Sequence, residues 1–411
     1  MEPADQEIAC FLAPMHWHLR EQVRRFAEEE VRPRIAHMEQ SRTVNHELSR
    51  LIARQGWIGV TVGHEYGGMA MGHRAKTVVI EELARVSGAM GAMVQASQLG
   101  VAKILHYGNA AQQAQWLPAI ADGTCLPTIA TTEAGSGSNV LGMAMTAKRD
   151  GDSYVLNGRK VWVGNSHIGD LHGVIARTDA GSHGLSAFLV EADRPGLSVS
   201  PHRPAMGLHG FSFGELVFDD CRVPRENLLG KEGDGLAVAY SSSILYGRPN
   251  LTAVSLGIHR ALVEDTGTFA ASQPRYDGVL SDLPTVKQKL GTMQSNLMTA
   301  RIVAYHAVSL LDQRQPCDAE LINAKLINHE LAQDSARLAA EVHGAYALDT
   351  DRPIERYIRD AHHPFAPAGT SDIQRLRLAE DLLRLSGLPW SQQLADRLVS
   401  SDSASAARRA G

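Results

Sequence analysis

Two segments set the character of this chain: TEAGSGSN at residues 132–139 and YVLNGRKVWV at residues 154–163. The second is rich in aromatic and β-branched residues, as strands are. Its Asn157-Gly158 dipeptide suits both positive-φ positions of a type I′ turn, so we predict a hairpin with its turn there. The first segment is rich in glycine and serine and lies between predicted strands, where its backbone N–H groups could hold an anion. It fits neither the Walker pattern nor G-x-G-x-x-G.

The sequence around these segments also has residue patterns typical of β-strands, and the regions before and after it have patterns typical of helices. Between Cys125 and Val223, turn residues separate short β-rich runs, which read TIATT, GVIART, LSAFLV and GELVFDD. Elsewhere apolar residues recur with helical spacing, for example at Val79, Ile80, Leu83 and Val86, and at Val286, Leu290, Met293, Leu297 and Ala300. We predict an α+β chain: a helical domain at residues 1–124, a β domain at 125–236, a helical bundle at 237–400 and a disordered tail at 401–411.

Composition excludes several function classes. The 411 residues carry 40 Lys and Arg against 45 Asp and Glu, without the clustered basic face that a nucleic-acid partner needs. The N-terminus lacks the basic and apolar stretches of a signal peptide, and no run of 18 apolar residues predicts a membrane span. Four cysteines lie far apart, at positions 10, 125, 221 and 317, which predicts free thiols. We expect a cytoplasmic protein with no membrane or nucleic-acid partner.

Two sequence features suggest a serine-hydrolase motif and a metal site, but their context favours neither. Gly210 to Gly214 matches the G-x-S-x-G of serine hydrolases, but a nucleophile elbow needs a strand before the serine and a helix after it. Here a predicted strand, GELVFDD, follows instead. The histidine pairs His16/His18 and His362/His363 lack any metal-ligand spacing such as H-E-x-x-H, so we predict no metal site.

Taken together, the segments resemble the acyl-CoA dehydrogenase superfamily over residues 10–388. The matching stretches keep the family's order and read EYGG at 65–68, EELAR at 81–85, TEAGSGSN at 132–139, LNGRKVW at 156–162, FDD at 218–220, NLLG at 227–230 and RDA at 359–361. Departures from the signature T-E-P-x-A-G-S-D fall at Ala134, Ser136 and Asn139. The resemblance implies an N-terminal helical domain, a middle β-barrel and a C-terminal four-helix bundle.

The resemblance also implies ligands for these parts. In the family, the signature loop and the tryptophan hold the flavin ring between the β domain and the C-terminal helices. The positions that match the cofactor-binding residues are Thr131, Thr132, Gly137, Ser138, Trp162, Gly164 and Thr370. Those that match the surroundings of the acyl thioester are Ser138, Tyr246, Arg248, Ala368 and Gly369.

The resemblance breaks at the residue that removes the substrate's α-proton. Most members carry a catalytic glutamate just before a Gly-Thr pair, which here reads Ala368-Gly369-Thr370; a minority carry it before an arginine, which here is preceded by Gly247. Neither alanine nor glycine can accept a proton, and a general base is worth about 10²–10⁴ in rate. The catalytic residue is therefore unassigned. Candidates for a replacement acceptor are Tyr246, His362, His363 and Asp372.

The cofactor positions depart from the family as well. The usual Ile-Thr-Asn after the tryptophan reads Val163-Gly164-Asn165, which removes a hydroxyl expected at flavin N5. An arginine that reaches the pyrophosphate aligns with Gln273, although Arg275 follows, and the Q-x-x-G-G-x-G stretch becomes EVHGAYA at 341–347. We therefore expect FAD to bind with reduced affinity.

Three functions are compatible with this pattern. One is a flavoenzyme with altered chemistry that acts on an acyl thioester of CoA or of a carrier protein. Another is a two-component flavin monooxygenase of the same fold, which needs no α-proton acceptor and receives reduced flavin from a reductase. The last is a non-redox cyclase, dehydratase or binding scaffold that reuses the acyl pocket. The family resemblance further implies a homo-oligomer, a dimer or tetramer, and an electron-transfer or flavin reductase partner.

Overall fold

The structure is a computed structural model that describes residues 3–394. The predicted tail at 401–411 lies outside these residues. Six helices form the first layer: α1 Pro14–Phe26, α2 Ile35–Ser41, α3 His46–Ala53, α4 Gly72–Val86, α5 Gly88–Tyr107 and α6 Ala110–Ala121. Helix α5 is rich in Gly, Ala and Ser, and nearly all of it is buried because these small residues let neighbouring backbones approach closely.

The middle of the chain forms one mixed sheet. Its strands are β1 Pro127–Ala130, β2 Thr146–Asp150, β3 Ser153–Gly164, β4 Leu171–Arg177, β5 Leu185–Glu191, β6 Leu197–Val199, β7 Phe213–Pro224 and β8 Leu228–Leu229. They run in the order β6-β7-β3-β2-β4-β5-β8, with β1 beside β4. Strands β6, β7, β3 and β2 form one half of the sheet, and β1, β4, β5 and β8 form the other. The halves meet where Thr146 of β2 pairs with Arg177 of β4, and they enclose a shared apolar core that includes Leu156, Val174 and Phe188.

The predicted hairpin at Asn157-Gly158 is wrong. Strand β3 continues through both residues, because β2 pairs with it on one side and β7 on the other. Pairing on two sides overrides the local turn preference, and the extra residue becomes a bulge with Gly158 at φ 140°. The turn between β2 and β3 lies instead at Gly151, which has φ 59°.

Helices return after the sheet. They are α7 Gly235–Ser242, α8 Arg248–Ser272, α9 Pro284–Asp312, α10 Asp318–His343, α11 Pro353–Ala361 and α12 Ser371–Leu382, with a short ribbon of β9 Pro274–Arg275 and β10 Gly278–Val279 after α8. The stripe on α9 that begins at Val286 is largely buried, as predicted. A π-helical turn at Ser243–Gly247 leads into α8, and such turns often mark functional sites.

A buried ion network joins the two helical layers. Glu82 of α4 accepts hydrogen bonds from Arg20 at 2.6 Å and from Arg260 at 2.7 Å, and Glu81 accepts from Arg260 at 2.8 Å. Its carboxylates and guanidiniums lie out of water, so each charge depends on its partner. This network locks α4 against α1 and α8. Within residues 3–394, every helix is too short or too polar to cross a bilayer.

Candidate active site

The signature loop after β1 is held by a buried lysine. Lys160 of β3 donates to Glu133 Oε1 at 2.7 Å and to the Thr131 carbonyl at 2.9 Å. Burial lowers the pKa of Lys160 to about 8, although the neighbouring carboxylate opposes this change. A further bond joins the Val161 N–H to the Thr132 carbonyl at 2.8 Å. The loop is thereby fixed against the strand that carries the tryptophan.

An open surface lies beside this loop. Trp162 is 65% exposed and adopts φ 57°, an uncommon conformation for a bulky residue that often marks a functional site. Gly137 and Ser138 are also exposed, and a Cβ atom added to Gly137 would meet nothing within 4 Å. The Thr131 hydroxyl is buried and has no hydrogen-bond partner among residues 3–394. An exposed indole beside unused donors can hold a flat, polar-edged ligand.

Gly164, two residues after Trp162, is closely surrounded by other side chains. A Cβ atom at Gly164 would lie 2.9 Å from the Ala96 Cβ and 3.1 Å from the Phe211 Cζ, so a threonine there would clash. Phe211 is buried and packs beside Phe213 with ring centroids 5.9 Å apart. Ala96 and Phe211 therefore leave no room for a larger residue at Gly164, and this contact depends on residues distant along the chain.

Aromatic contacts connect this surface to the C-terminal helices. The rings of Trp162 and Phe213 are 5.4 Å apart, and those of Phe213 and His363 are 5.3 Å apart. His363 begins the segment that leads to Thr370, whose hydroxyl caps α12 by accepting from the Ile373 N–H at 3.4 Å. Trp162 of the β domain is therefore connected through Phe213 to His363 of the C-terminal region, by contacts that only the fold reveals.

The two positions that the resemblance assigns to the proton acceptor face each other. A Cβ atom built on Gly247 would lie 3.3 Å from the Ala368 Cβ and 3.4 Å from a Leu99 methyl group. Ala368 has φ 56° and Gly369 has φ 96°, so the backbone turns sharply there. The sequence named both positions, whereas their contact depends on the packing of α5, α8 and the segment before α12. No carboxylate or imidazole belongs to either residue.

Two basic side chains belong to the segments near this contact. Arg248 follows Gly247 and is 4% exposed, yet its Nε and Nη1 atoms have no hydrogen-bond partner in the described part of the chain. Burial lowers the pKa of Arg248 to about 10, so it is charged at neutral pH. Lys325 of α10, which the sequence reading missed, donates to the Phe365 carbonyl at 2.9 Å and the Gly369 carbonyl at 2.6 Å. Burial and the nearby Arg248 lower the pKa of Lys325 to about 7.

The four candidate replacement acceptors occupy different surroundings. His362 is exposed and bonds Gln333 at 2.9 Å, and Asp372 is exposed on the first turn of α12. His363 lies against the phenylalanine rings, and burial lowers its pKa to about 4, so it is a weak base. Tyr246 is 1% exposed, and burial raises its pKa.

Tyr246 belongs to a polar cluster of its own. Its hydroxyl lies 3.2 Å from His106 Nε2, and Lys76 Nζ lies 4.1 Å above its ring. Lys76 also contacts His73 Nδ1 at 2.8 Å, and burial holds the pKa of both groups well below their ordinary values. The phenol is thus directed toward α4 and α5, where Lys76 and His106 contact it.

The positions expected to meet the cofactor's pyrophosphate lie near the chain surface. Arg275 is exposed on the β9–β10 ribbon, two residues after Gln273. Glu341, an added acidic group, bonds Lys289 at 2.6 Å and Arg337 at 2.5 Å. These cations offset much of its charge, so the new carboxylate opposes an anionic ligand less than the sequence suggested.

Comparisons with known proteins now identify the fold. Family models described as the acyl-CoA dehydrogenase N-terminal, middle and C-terminal domains match residues 14–124, 128–221 and 233–383. This chain belongs to the acyl-CoA dehydrogenase family. An acyl-CoA dehydrogenase of Bacillus subtilis is 33% identical over 368 residues, which cover 89% of this chain and 97% of that protein.

Solved structures of this family agree with the architecture. Butyryl-CoA dehydrogenase from Megasphaera elsdenii superposes with a TM-score of 0.88 and 27% identity, covering 90% of this chain and 99% of that one. The prolyl acyl carrier protein oxidase AnaB gives a TM-score of 0.85 and 28% identity, again over 90% and 99%. An FAD complex of PigA gives 0.86 and 26%, over 91% and 99%. The predicted family, fold class and cofactor are confirmed.

The residues present fit FAD. The exposed Trp162 offers a flat surface, and the buried Thr131 hydroxyl is an unused donor at the edge of the loop. Open space beside Gly137 admits a ligand against the backbone. Gly164, in contrast, contributes no side-chain hydrogen bond, and Phe211 occupies the volume that such a side chain would need. FAD is the cofactor.

Proposed function

We propose that this chain is an FAD-dependent oxidoreductase that acts on an acyl thioester without the family's glutamate as proton acceptor. The observation that carries the proposal is that Gly247 and Ala368 contact each other and neither can accept a proton, while Trp162 stays exposed. Trp162, Thr370 and Arg248 keep the residue types of the family pattern, while both positions for the base carry residues that cannot accept a proton. Ordinary α,β-dehydrogenation should therefore be slower by about 10²–10⁴ than in a relative with the base.

The thioester carrier is either CoA or a carrier protein. The Bacillus subtilis relative is named an acyl-CoA dehydrogenase, and AnaB is named a prolyl acyl carrier protein oxidase. Both are similar to this chain over about nine-tenths of its length. The carrier is testable by presenting one acyl group on each.

The chain's own residues position the reaction. FAD, when bound, supplies a hydride acceptor. Lys325 holds the Phe365 and Gly369 carbonyls, which fixes the turn that presents Ala368. Gln374 supports the same turn by donating to the Ala368 carbonyl at 2.8 Å. Because Ala368 ends in a methyl group, the wall against the substrate is apolar where the family has a carboxylate.

The test uses absorbance of the purified protein. FAD is added until the flavin bands saturate, and saturated acyl thioesters of CoA or of a carrier protein are then added without oxygen. We expect slow but measurable bleaching with simple straight-chain substrates, because the general base is missing. Rapid bleaching of the unmodified protein by butyryl-CoA, with an enoyl product, would overturn the proposal.

An engineered base sharpens this test. Ala368→Glu should accelerate bleaching, because the new carboxylate stands where the family's base does, whereas the matched Ala368→Gln variant has the same shape and no basicity. Equal rates in the two variants would show that the acyl pocket has changed more deeply. The two variants differ in basicity and not in shape, so the comparison isolates the proton acceptor.

The same measurements separate the alternatives. A two-component monooxygenase would show no bleaching by thioesters, but would consume oxygen once a reductase supplies reduced flavin. A scaffold or non-redox enzyme would leave FAD spectroscopically unchanged under every condition. Either outcome would replace the proposed thioester oxidation.

We further propose that the chain forms a homo-oligomer through its C-terminal helices. Large apolar side chains are exposed on α9 and α12, namely Met298, Ile302, Leu376 and Leu382. Exposed apolar surface of this kind marks protein contacts. Light scattering in solution should give a mass of two or four chains, and a monomer at micromolar concentration would contradict the proposal.

A further inference from the structure

A groove lies between the first helical layer and the β domain. One wall is the loop between α2 and α3, which includes Arg42, and the other is the segment before β7, which includes His202 and Pro204. The outer part of the groove has a volume of about 410 Å³ and is open to solvent. The inner part narrows and ends at three rings, those of Phe211, Phe213 and His363. Side chains of another molecule can therefore enter the outer part.

This groove is positively charged. Arg42 and Arg203 line it, both are exposed, and neither guanidinium forms an ion pair within residues 3–394. The described residues that line the groove include no Asp or Glu. Glu39 of α2 contacts the lining residue His209 at 2.9 Å, but Arg359, at 2.7 Å, offsets the charge of Glu39. Two arginine charges thus face the groove without a carboxylate partner.

Exposed apolar side chains border the charged groove. Met206, three residues after Arg203, is 60% exposed, and Phe365, at the end of the turn His363–Phe365, is 49% exposed. Phe213 lines the groove, and its ring lies 5.4 Å from that of Trp162. Protein interfaces are enriched in Arg, Met and aromatic residues and depleted of Asp, Glu and Lys. The groove and its border have this composition, next to the exposed Trp162.

The proposed thioester oxidation requires an oxidant. Each turnover removes two electrons and two protons from the acyl group, and a molecule outside this chain must take the electrons before the next turnover. A protein that covers the groove can bring its redox centre close to Trp162. The chain has a net charge of -5, which by itself repels an acidic protein, so the attraction of such a partner depends on a local basic surface.

We propose that this groove docks an acidic electron-carrier protein, whose carboxylates pair with Arg42 and Arg203. This inference rests on the proposed function and names its oxidant: a one-electron carrier with acidic residues around its redox centre. Met206 and Phe365 then contact apolar side chains of the carrier. Two carrier molecules accept one electron each for every thioester oxidised, and the two protons pass to water. Such charge attraction speeds encounter and weakens as salt is added.

The local charge is tested with two small oxidants. The FAD-loaded protein is reduced by light without oxygen and mixed with ferricyanide, a trianion, or with tris(phenanthroline)cobalt(III), a trication, while flavin absorbance is recorded. We expect an increase from about 20 to about 200 mM salt to slow reoxidation by ferricyanide about three- to ten-fold, and not to slow reoxidation by the cobalt complex.

Paired arginine variants are matched in net charge. The slowing by salt should disappear in Arg42→Gln/Arg203→Gln and persist in Arg54→Gln/Arg149→Gln, which removes two exposed arginines that do not line the groove. If salt does not slow ferricyanide in the unmodified protein, or still slows it in Arg42→Gln/Arg203→Gln, the groove is not the basic surface that the proposal requires.

Two acidic carriers, flavodoxin and plant-type ferredoxin, test the docking of a protein. Both are used in their reduced forms as electron donors to the FAD-loaded protein, because one docking surface serves electron transfer in either direction. We expect the rate to saturate with carrier concentration. The half-saturating concentration should be about ten-fold higher in Arg42→Gln/Arg203→Gln than in Arg54→Gln/Arg149→Gln. Equal values in the two variants for both carriers would show that the groove attracts small anions only, which refutes the proposed docking.

A binding measurement without electron transfer completes the test. Hexacyanochromate(III) has the charge and shape of ferricyanide, is redox-inert, and broadens nearby NMR signals because it is paramagnetic. In FAD-loaded protein with ¹³C-labelled methionine methyl groups, we expect it to broaden the signal of Met206 and to spare that of Met15, which is 50% exposed on α1. The difference should vanish in Arg42→Gln/Arg203→Gln. Equal broadening of both signals in the unmodified protein contradicts anion binding at the groove.

These outcomes are distinct from a failure of the proposed function. Thioester oxidation is read from flavin bleaching by substrate, whereas docking is read from salt dependence, half-saturation and NMR broadening. A protein that passes the docking tests but never bleaches with a thioester keeps the docking groove and loses the proposed oxidation. A protein that bleaches with thioesters but does not respond to the loss of Arg42 and Arg203 shows the reverse.

Discussion

Lys325 should make the stability of this protein depend on pH in a defined direction. The residue is 1% exposed, and its amine donates to the Phe365 and Gly369 carbonyls. Burial and the nearby Arg248 lower the pKa of Lys325 from the ordinary 10.5 to about 7. Between these two values the unfolded chain binds a proton that the folded chain does not. The free energy of unfolding therefore rises as the pH increases from about 7 toward 10.5.

The size of the stability change follows from how far the pKa of Lys325 is lowered. Each pKa unit corresponds to about 1.4 kcal/mol, and the slope at pH 7 is about half its full value, so Lys325 should contribute about 2 kcal/mol of added stability between pH 7 and pH 9. Lys325→Met keeps the length of the side chain and removes the proton equilibrium. The variant also loses two hydrogen bonds, which lowers its free energy of unfolding by an amount that depends only weakly on pH.

The assay is urea denaturation followed by helical circular dichroism, at steps from pH 6 to pH 9. We expect the difference between the unmodified protein and Lys325→Met to grow in favour of the unmodified protein as the pH rises. Lys287→Met on α9 removes an exposed lysine and should give parallel curves. Parallel curves for Lys325→Met as well would refute the assignment of a largely neutral amine at this site.

Three further predictions concern the fold and the flavin surface. Glu82→Gln should lower the free energy of unfolding by about 3–5 kcal/mol in denaturation experiments, because it leaves buried guanidiniums without a carboxylate partner. Glu330→Gln, at an exposed ion pair, should lower it by less than about 1 kcal/mol. Gly164→Thr should destabilise by about 1–3 kcal/mol through its clash with Phe211, and a melting temperature equal to that of the unmodified protein would contradict this. Glu133→Gln should weaken FAD binding in a fluorescence titration, because the signature loop loses its ion pair; unchanged affinity would show that the loop does not need it.

The sequence was sufficient for the order of the parts. Helical periodicity before residue 122 and after Pro224, with β-rich runs between them, predicted the two helical layers and the sheet. These signals are local: each depends on residues a few positions apart, and burial of the resulting faces reinforces them. The sequence also shows directly that positions 247 and 368 hold glycine and alanine. Glycine and alanine cannot accept protons in any fold, so the unassigned base was a question that the sequence could already pose.

Tertiary structure decided whatever depends on partners distant along the chain. Asn157-Gly158 has a strong local preference for a turn, but pairing with β2 and β7 holds it in a strand. The contact between Gly247 and Ala368 joins residues that are far apart in sequence. That Arg248 Nε and Nη1 find no hydrogen-bond partner within residues 3–394 likewise depends on every group packed around them. Packing sets these features because a buried charge or a close backbone contact is defined by its whole surroundings, which no window along the sequence contains.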